Sequence, residues 1–507
     1  MSGNYSIKID RDRIIGKINR QIYGYLIEHM GRCIYGGIYD DGSVLSDESG
    51  FRMDVLKALR ESNCSLIRWP GGNFTSFYHW EDGIGSKDSR PIKYNHAWRV
   101  DESNQFGTDE FVQFCRAVGS EPYICVNVSR QSTPEEAANW VEYCNRKGNS
   151  YYAKLREMNG FIEPHDVRYW GIGNEVYWAR GKGNFTPQEY VALLEEYVTL
   201  MKRVDPTIKI VAVGLGLEPE TAKKSPPRTK RMENLLNKSL DWSSEVLRKA
   251  GDLIDYISIH KYYSTEDYYG TVAAPVDAEP MLTRMQELIN MTTLGFDKEE
   301  PIKISFDEWG FGWPTYTTGW PLYETQYSLK DGLYAAGMLN VFHRQCNAVG
   351  MAMFSQMSNV LGAFVTSEND MRLTPIYMAI DLYANHSGDI ALDTFVKTDT
   401  FNTEYLNLKN VPYLDATATL GEKGDKLYIA TVNRHQDQHA DCRISLDGFT
   451  PKREATIFEL NGPESTARNE IGHEDLVKVQ EKMVKNIGSD FRYVFPPHSV
   501  TVIEIDM

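Results

Sequence analysis

Apolar and polar positions along the chain follow two successive regimes. From about residue 20 to 375, short apolar runs alternate with helix-like stretches. The runs at 21–28, 65–69, 123–127, 167–174, 209–214, 256–260, 302–307 and 350–354 predict eight strands. Between them, helical spacing covers 109–118, 134–147, 187–204 and 329–345. Pro134 and Pro187 each follow a threonine, which predicts a side-chain N-cap followed by a proline in the first turn. Eight strands separated by helices predict an α/β fold of the (β/α)8 TIM-barrel kind rather than an open doubly wound sheet.

After about residue 385 the period changes. Segments 414–420, 426–433, 442–446, 455–460 and 500–505 read as strands with turn residues between them. Helical periodicity is weak there, so a C-terminal antiparallel β-sandwich of jelly-roll type is expected. Residues 5–18 also read as a strand and are expected to join that sandwich. The expected division is 1–18 with the sandwich, 19–380 as the barrel, and 381–507 as the small domain.

Composition narrows the function. A formal charge of -16 argues against nucleic acid or an anionic membrane as partner, and fits a neutral substrate. The 12% of aromatic residues provides ample stacking surface for sugars. Seven cysteines stand without a CxxC pair or a Cys/His cluster, so neither a disulfide framework nor a metal is expected. No cofactor is expected either. The first residues lack an apolar leader and no run of 18 apolar residues occurs, which predicts a cytoplasmic protein fed by imported fragments.

Candidate chemistry sits at the strand ends, where a (β/α)8 barrel gathers its functional groups. Those ends carry Glu28 and His29, Arg68 with Asn73, Asn127, Asn174 and Glu175, His260 with Tyr262, Asp307 and Glu308, and Gln356. Glu175 and Glu308 close the fourth and seventh runs and so approach from opposite sides of the mouth. Two carboxyl groups about 5 Å apart are what retaining glycoside cleavage uses. A negative charge on Glu308 would favour keeping the proton of Glu175 for the leaving oxygen. Once Glu308 is esterified by the sugar, Glu175 could take a proton from water.

Several segments resemble glycoside hydrolase family 51, the α-L-arabinofuranosidases. They are YGYLIEHMGRCIYGGIY at 23–39, RWPGGNF at 68–74 and ESNQFGTDEF at 102–111, then GNE at 173–175, ISIH at 257–260 and SFDEW at 305–309. PHSVTV at 497–502 is also similar. The long first motif is far more specific than Gly-Asn-Glu, which marks a wide clan. The resemblance implies Glu175 as acid/base and Glu308 as nucleophile. It implies that Glu28, Arg68, Asn73, Asn174, Tyr262 and Gln356 hold the furanose, with Trp98 on a flanking loop. His260 is expected either to touch the sugar or to buttress Glu308. The implied substrates are arabinofuranosyl oligosaccharides from arabinan or arabinoxylan, and the implied assembly is a homo-oligomer, commonly a hexamer.

Two stretches depart from the family pattern: 176–183 after the acid, and 314–320 after the nucleophile. Both bear on the aglycone rather than on the chemistry. Trp178, Trp313 and Trp320 lie shortly after strand ends and offer further stacking surfaces or plain loop packing. Rival readings are a β-xylosidase or β-glucan-cleaving relative, a non-catalytic carbohydrate-binding barrel, and a metal-dependent hydrolase using His29, His260 and Glu308.

Overall fold

The eight apolar runs become one closed parallel barrel. In the computed structural model the described residues are 5–178, 183–217, 230–311, 324, 326–470 and 475–507, with the backbone alone for 230–238. The barrel strands are Gly24–Leu26, Leu66–Trp69, Glu121–Val126, Tyr169–Ile172, Lys209–Val213, Tyr256–Tyr263, Lys303–Phe311 and Val349–Ser355. Each pairs in parallel with its sequence neighbour, and the last closes on the first through Phe354 beside Tyr25. Leu26, Leu66, Tyr123, Tyr169, Val211, Met351 and Met353 fill the interior as a packed plug. A much larger apolar layer joins the outer face of the strands to the helices.

Local chemistry sets the helix starts. Thr133 accepts a hydrogen bond from the Glu136 amide ahead of Pro134–Asn145. Thr186 does the same for the Glu189 amide, and the Thr186 amide donates to the Glu189 carboxylate, completing a capping box on Pro187–Val204. Thr108–Val118 ends at Gly119, whose φ of 93° needs no side chain to be accommodated.

The second regime forms a nine-stranded sheet. Its order is Lys478–Lys485, Glu454–Asn461, Ser499–Asp506, Lys426–Asn433, Leu414–Leu420, Ile390–Lys397, Tyr5–Lys17, Ala440–Asp447 and Asp490–Phe495. Tyr5–Lys17 lies inside it, antiparallel to Ile390–Lys397 and parallel to Ala440–Asp447. The sheet rolls until its two edges meet. Lys482 on one edge strand lies 5.5 Å from the Tyr493 ring on the other, and the Tyr493 hydroxyl donates to Glu459 at 3.3 Å. Ile7, Ile429, Ile444, Ile457, Phe495 and Ile503 share the core enclosed by that roll.

The outer face of the sheet meets the barrel. Val432, Val500 and Val502 belong to the same apolar layer as the helices Leu329–Arg344 and Pro375–Asn385. All seven cysteines are free and buried. Among the described residues, no helix is long and apolar enough to cross a membrane.

Candidate active site

The geometry at the barrel mouth begins with backbone turns. Tyr169–Ile172 ends at Gly173, whose φ is 86°; a Cβ there would stand 2.7 Å from Val176. Glu175 itself holds φ at 43°, an uncommon conformation for a residue with a side chain. This turn aims Asn174 and Glu175 into the hollow. The opposite wall is close-fitting too, since a Cβ on Gly72 would lie 3.1 Å from Glu308 Oε1 and 3.4 Å from Glu28 Oε2.

Consecutive residues on a strand normally face opposite ways, yet Asp307 and Glu308 both meet groups at the mouth. The pairing of Lys303–Phe311 with Tyr256–Tyr263 shifts register between Ser305 and Glu308, which allows this. Glu308 then pairs with His260 and Gly310 with Tyr262. Gly310 leaves room for the Tyr262 ring, which a Cβ would approach to 3.2 Å.

Glu308 is held on both oxygens. Arg68 Nη1 donates to Oε1 at 2.8 Å and the Tyr262 hydroxyl to Oε2 at 2.9 Å. Burial, and then the Glu308 charge, push the Tyr262 phenol well above its usual range, so it keeps its proton. Arg68 Nη2 donates to Asn174 Oδ1 at 2.6 Å, which fixes that amide and leaves its NH2 group to face inward. Arg68 Nε also lies 3.4 Å from Asp307.

His260 lies between the two glutamates. Its Nδ1 is 3.0 Å from Glu175 Oε1 and 3.6 Å from Glu308 Oε2, and its Nε2 is 3.3 Å from Asp307. Burial alone would lower the imidazole. The Glu308 charge and the contacts to Asp307 and Glu175 outweigh it and hold the ring up at about 10. Asp307 moves the other way: burial would raise it, but Arg68 and His260 hold it down at about 2. Tyr123 and Ser258 also donate to Asp307, at 2.8 Å and 2.5 Å.

An oxygen of Glu175 and an oxygen of Glu308 lie within 4.8 Å of each other. They open on a hollow of about 330 Å³, near the lower end of the small-ligand range of about 300–1,000 Å³. Glu28, Asn73, Trp98, Asn174, Tyr262 and Gln356 line the same hollow. Glu28 accepts from the Phe74 amide at 2.9 Å, from Trp98 Nε1 at 3.0 Å and from Gln356 Nε2 at 3.0 Å. Its burial raises its pKa, the Phe74 amide opposes this, and the Glu308 charge adds to the rise.

Sequence reasoning placed these eight lining residues together. Arg68 is buried and His260 half-buried, and both contact the groups around the hollow: Arg68 donates to Glu308 and Asn174, and His260 lies against Glu175. Arg68 holds Glu308, not Glu28. His29 stays outside: it accepts from Trp69 Nε1 and lies 2.9 Å from Glu102. Asn127 donates to the Tyr78 carbonyl instead of entering the site. Met30, Tyr263, Ser264, Ser355 and Leu361 also line the hollow and were not anticipated. Tyr263 and Ser264 escaped notice because the predicted strand stopped at 260, whereas the strand runs to Tyr263. Trp178 donates its amide to the Glu175 carbonyl. Trp313, Trp320 and the whole of 314–320 fall outside the described residues, as do 179–182.

Comparison with known proteins gives the family. The alpha-L-arabinofuranosidase 1 domain matches residues 58–277, and the alpha-L-arabinofuranosidase C-terminal domain matches residues 307–499. Alpha-L-arabinofuranosidase C of Emericella nidulans is 37% identical over 505 residues, covering 98% of this chain and 96% of its own length. An intracellular exo-alpha-(1->5)-L-arabinofuranosidase of Halalkalibacterium halodurans is 31% identical, over 87% of each chain. The thermostable GH51 α-L-arabinofuranosidase of Thermotoga petrophila superposes with a TM-score of 0.89 at 40% identity, covering 99% of this chain and all of that one. The fold, the paired carboxylates at the barrel mouth and these full-length matches lead to one assignment: the chain belongs to the family 51 α-L-arabinofuranosidases.

Proposed function

We propose that this protein is a retaining, exo-acting α-L-arabinofuranosidase in which Glu308 is the nucleophile and Glu175 the acid/base. The observation that carries the proposal is the separation of at most 4.8 Å between their oxygens across one hollow. That spacing supports direct attack on the sugar and leaves too little room for an intervening water. Arg68 and Tyr262 fix both Glu308 oxygens, which supports an ionised carboxylate aimed at the anomeric carbon.

In the first step a Glu308 oxygen bonds to the anomeric carbon as the bond to the leaving oxygen breaks, and Glu175 gives that oxygen its proton. In the second, Glu175 takes a proton from water while the water oxygen bonds to the same carbon. The ester bond breaks and returns the Glu308 carboxylate. The Asn174 NH2 group suits the sugar 2-OH, a contact that strengthens as the ring approaches an oxocarbenium ion. Glu28, fixed by three donors, offers a further acceptor for ring hydroxyls.

The name of the Halalkalibacterium relative supports removal of terminal units and a cytoplasmic site of action. Arabinan- or arabinoxylan-derived oligosaccharides are the proposed substrates. The homo-oligomeric state, a hexamer, rests on family resemblance alone. In the same reading residues 19–380 form the catalytic unit, and 1–18 with 381–507 form the accessory sheet.

A metal-dependent reading has one observation in its favour: ligand atoms of Glu175, His260 and Glu308 lie within 4.8 Å of one another. The same three groups are already partnered without an ion: His260 Nδ1 lies 3.0 Å from Glu175, and Arg68 and Tyr262 donate to the two Glu308 oxygens. Activity unchanged by EDTA separates the two readings.

The Glu175→Ala variant tests the roles. Release of an activated phenol should persist, because that leaving group needs no proton. Release of a sugar aglycone should fall by about 10²–10⁴-fold. Unchanged rates on both would remove Glu175 from the mechanism. A nitrophenyl panel decides the sugar: a rate on the β-xylopyranoside equal to that on the α-L-arabinofuranoside would overturn the substrate assignment.

A further inference from the structure

A second concavity, of about 180 Å³, is built on the same turn and hairpin that supply Asn73 and Trp98 to the catalytic hollow. One wall is the short helical turn Asn73–Phe77, which places Asn73 in the hollow and Phe77 in the second groove. The other is the hairpin of Lys93–Asn95 with Val100–Glu102, whose connecting loop places Trp98 in the hollow. Tyr94 and His96 of the same hairpin and loop line the groove.

The rings there form a continuous strip. Phe77 and His96 have centroids 5.6 Å apart and planes inclined by 30°, and Tyr94 meets His96 edge-on at 5.1 Å. Tyr94 is 53% exposed and His96 is exposed, which leaves ring surface open to a ligand. Its charged groups are paired, Lys93 lying 3.6 Å from Asp82 and Glu102 lying 2.9 Å from His29. A neutral ligand with apolar ring faces and polar edges fits this better than an anion does.

The loop is held at a fixed height. Asn95 donates to the His29 carbonyl at 3.0 Å and accepts from the Ala97 and Trp98 amides. Trp98 in turn donates to Glu28 inside the hollow. The loop thus ties the aromatic strip to the wall of the hollow formed by Trp98 and Glu28.

We propose that the Phe77–His96–Tyr94 strip binds the sugar units beyond the scissile bond of a pentose oligosaccharide, so that the enzyme favours chains longer than a disaccharide. This rests on the arabinofuranosidase reading above. Kinetics on the full-length protein test it, using α-linked arabinofuranosyl di-, tri- and tetrasaccharides with p-nitrophenyl α-L-arabinofuranoside as the short reference. For the wild type, kcat/KM relative to the aryl glycoside should rise with length. In the Tyr94→Ala/His96→Ala double variant, that ratio for the tetrasaccharide should fall by about five- to tenfold. Both side chains are exposed, so an unchanged thermal midpoint confirms an intact fold. A variant with the wild-type length profile, or a wild type with no gain from di- to tetrasaccharide, would overturn the proposal. A wild type inert on the aryl arabinofuranoside would instead overturn the enzymatic reading on which it rests.

Discussion

Two ionic clusters among the described residues, one at the domain junction and one at the barrel mouth, differ in charge balance. Where the rolled sheet meets the barrel, Arg344 makes a bidentate pair with Glu279 and a bond of 2.8 Å to Asp415, while Arg434 reaches the other Asp415 oxygen at 2.8 Å. Two guanidinium groups meet two carboxylates, so the charges cancel. At the mouth, Arg68 and His260 contact Glu175, Asp307 and Glu308, and Glu28 stands close enough for the Glu308 charge to act on it. Four carboxyl groups exceed two cations.

That excess costs stability in a low-dielectric setting unless protons or a ligand offset it. Glu28, raised by burial and by Glu308, is one place where a proton is held more tightly. A sugar developing positive charge at its anomeric carbon is the other partner such a cluster is built to meet. Balance marks the structural cluster; imbalance around a hollow marks the chemical one.

The sharpest way to break this contrast is to remove one carboxylate from each cluster. Glu308→Ala should lower kcat on every substrate by about 10⁴-fold or more without unfolding the protein. Azide should partly restore turnover of an activated aryl glycoside, giving the azide of inverted configuration. Asp415→Ala should do the reverse. It leaves Arg344 and Arg434 without a shared partner, so unfolding should cost about 3–5 kcal/mol less. Denaturant melts would show this, with kcat at moderate temperature close to wild type. A loss of activity without loss of stability in Asp415→Ala would dissolve the distinction.

Smaller effects sharpen it. Tyr262→Phe removes one of the two donors on Glu308, and kcat should fall by about tenfold with KM little changed. Proton NMR of the imidazole gives the finest reading. His260 is raised from 6.5 to about 10 when folded, so its contribution to stability is complete below pH 6.5 and is lost as pH rises through about 10. Asp307, depressed from 3.8 to about 2, contributes above 3.8 and loses that contribution as pH falls through about 2. The expected spectrum shows no titration of His260 between pH 6 and 8. A midpoint near 6.5 would mean that Asp307 and Glu308 do not hold the imidazolium as the geometry implies.

Much of the barrel was legible in the sequence because its strands are buried on both faces and read as unbroken apolar runs. Their ends were less so: the first strand is only Gly24–Leu26, shorter than 21–28, and the seventh continues to Phe311. In the sheet, Lys478–Lys485 escaped notice because it is an edge strand with almost every side chain exposed, leaving no apolar period. Asp490–Phe495 and Ile390–Lys397 were missed for similar reasons, with polar and half-buried positions breaking the alternation.

At the site, Glu175 and Glu308 stood out because a charged residue ending an apolar run is conspicuous. Asp307 could be seen at the same strand end, but not its role beside Arg68 and His260. That role depends on a register shift, which no periodicity in one strand reveals. Whether Arg68 would serve Glu28 or Glu308 was equally hidden, since both lie at strand ends and only the closed barrel decides the distance.

The most direct measurement is to trap the covalent intermediate with a 2-deoxy-2-fluoro arabinofuranoside bearing an activated leaving group, then locate the label by peptide mass spectrometry. The account predicts one sugar per chain, on the peptide that carries residues 303–311 and at Glu308 within it. A label on any other residue, or inactivation-free turnover with inverted product and no adduct, would contradict it.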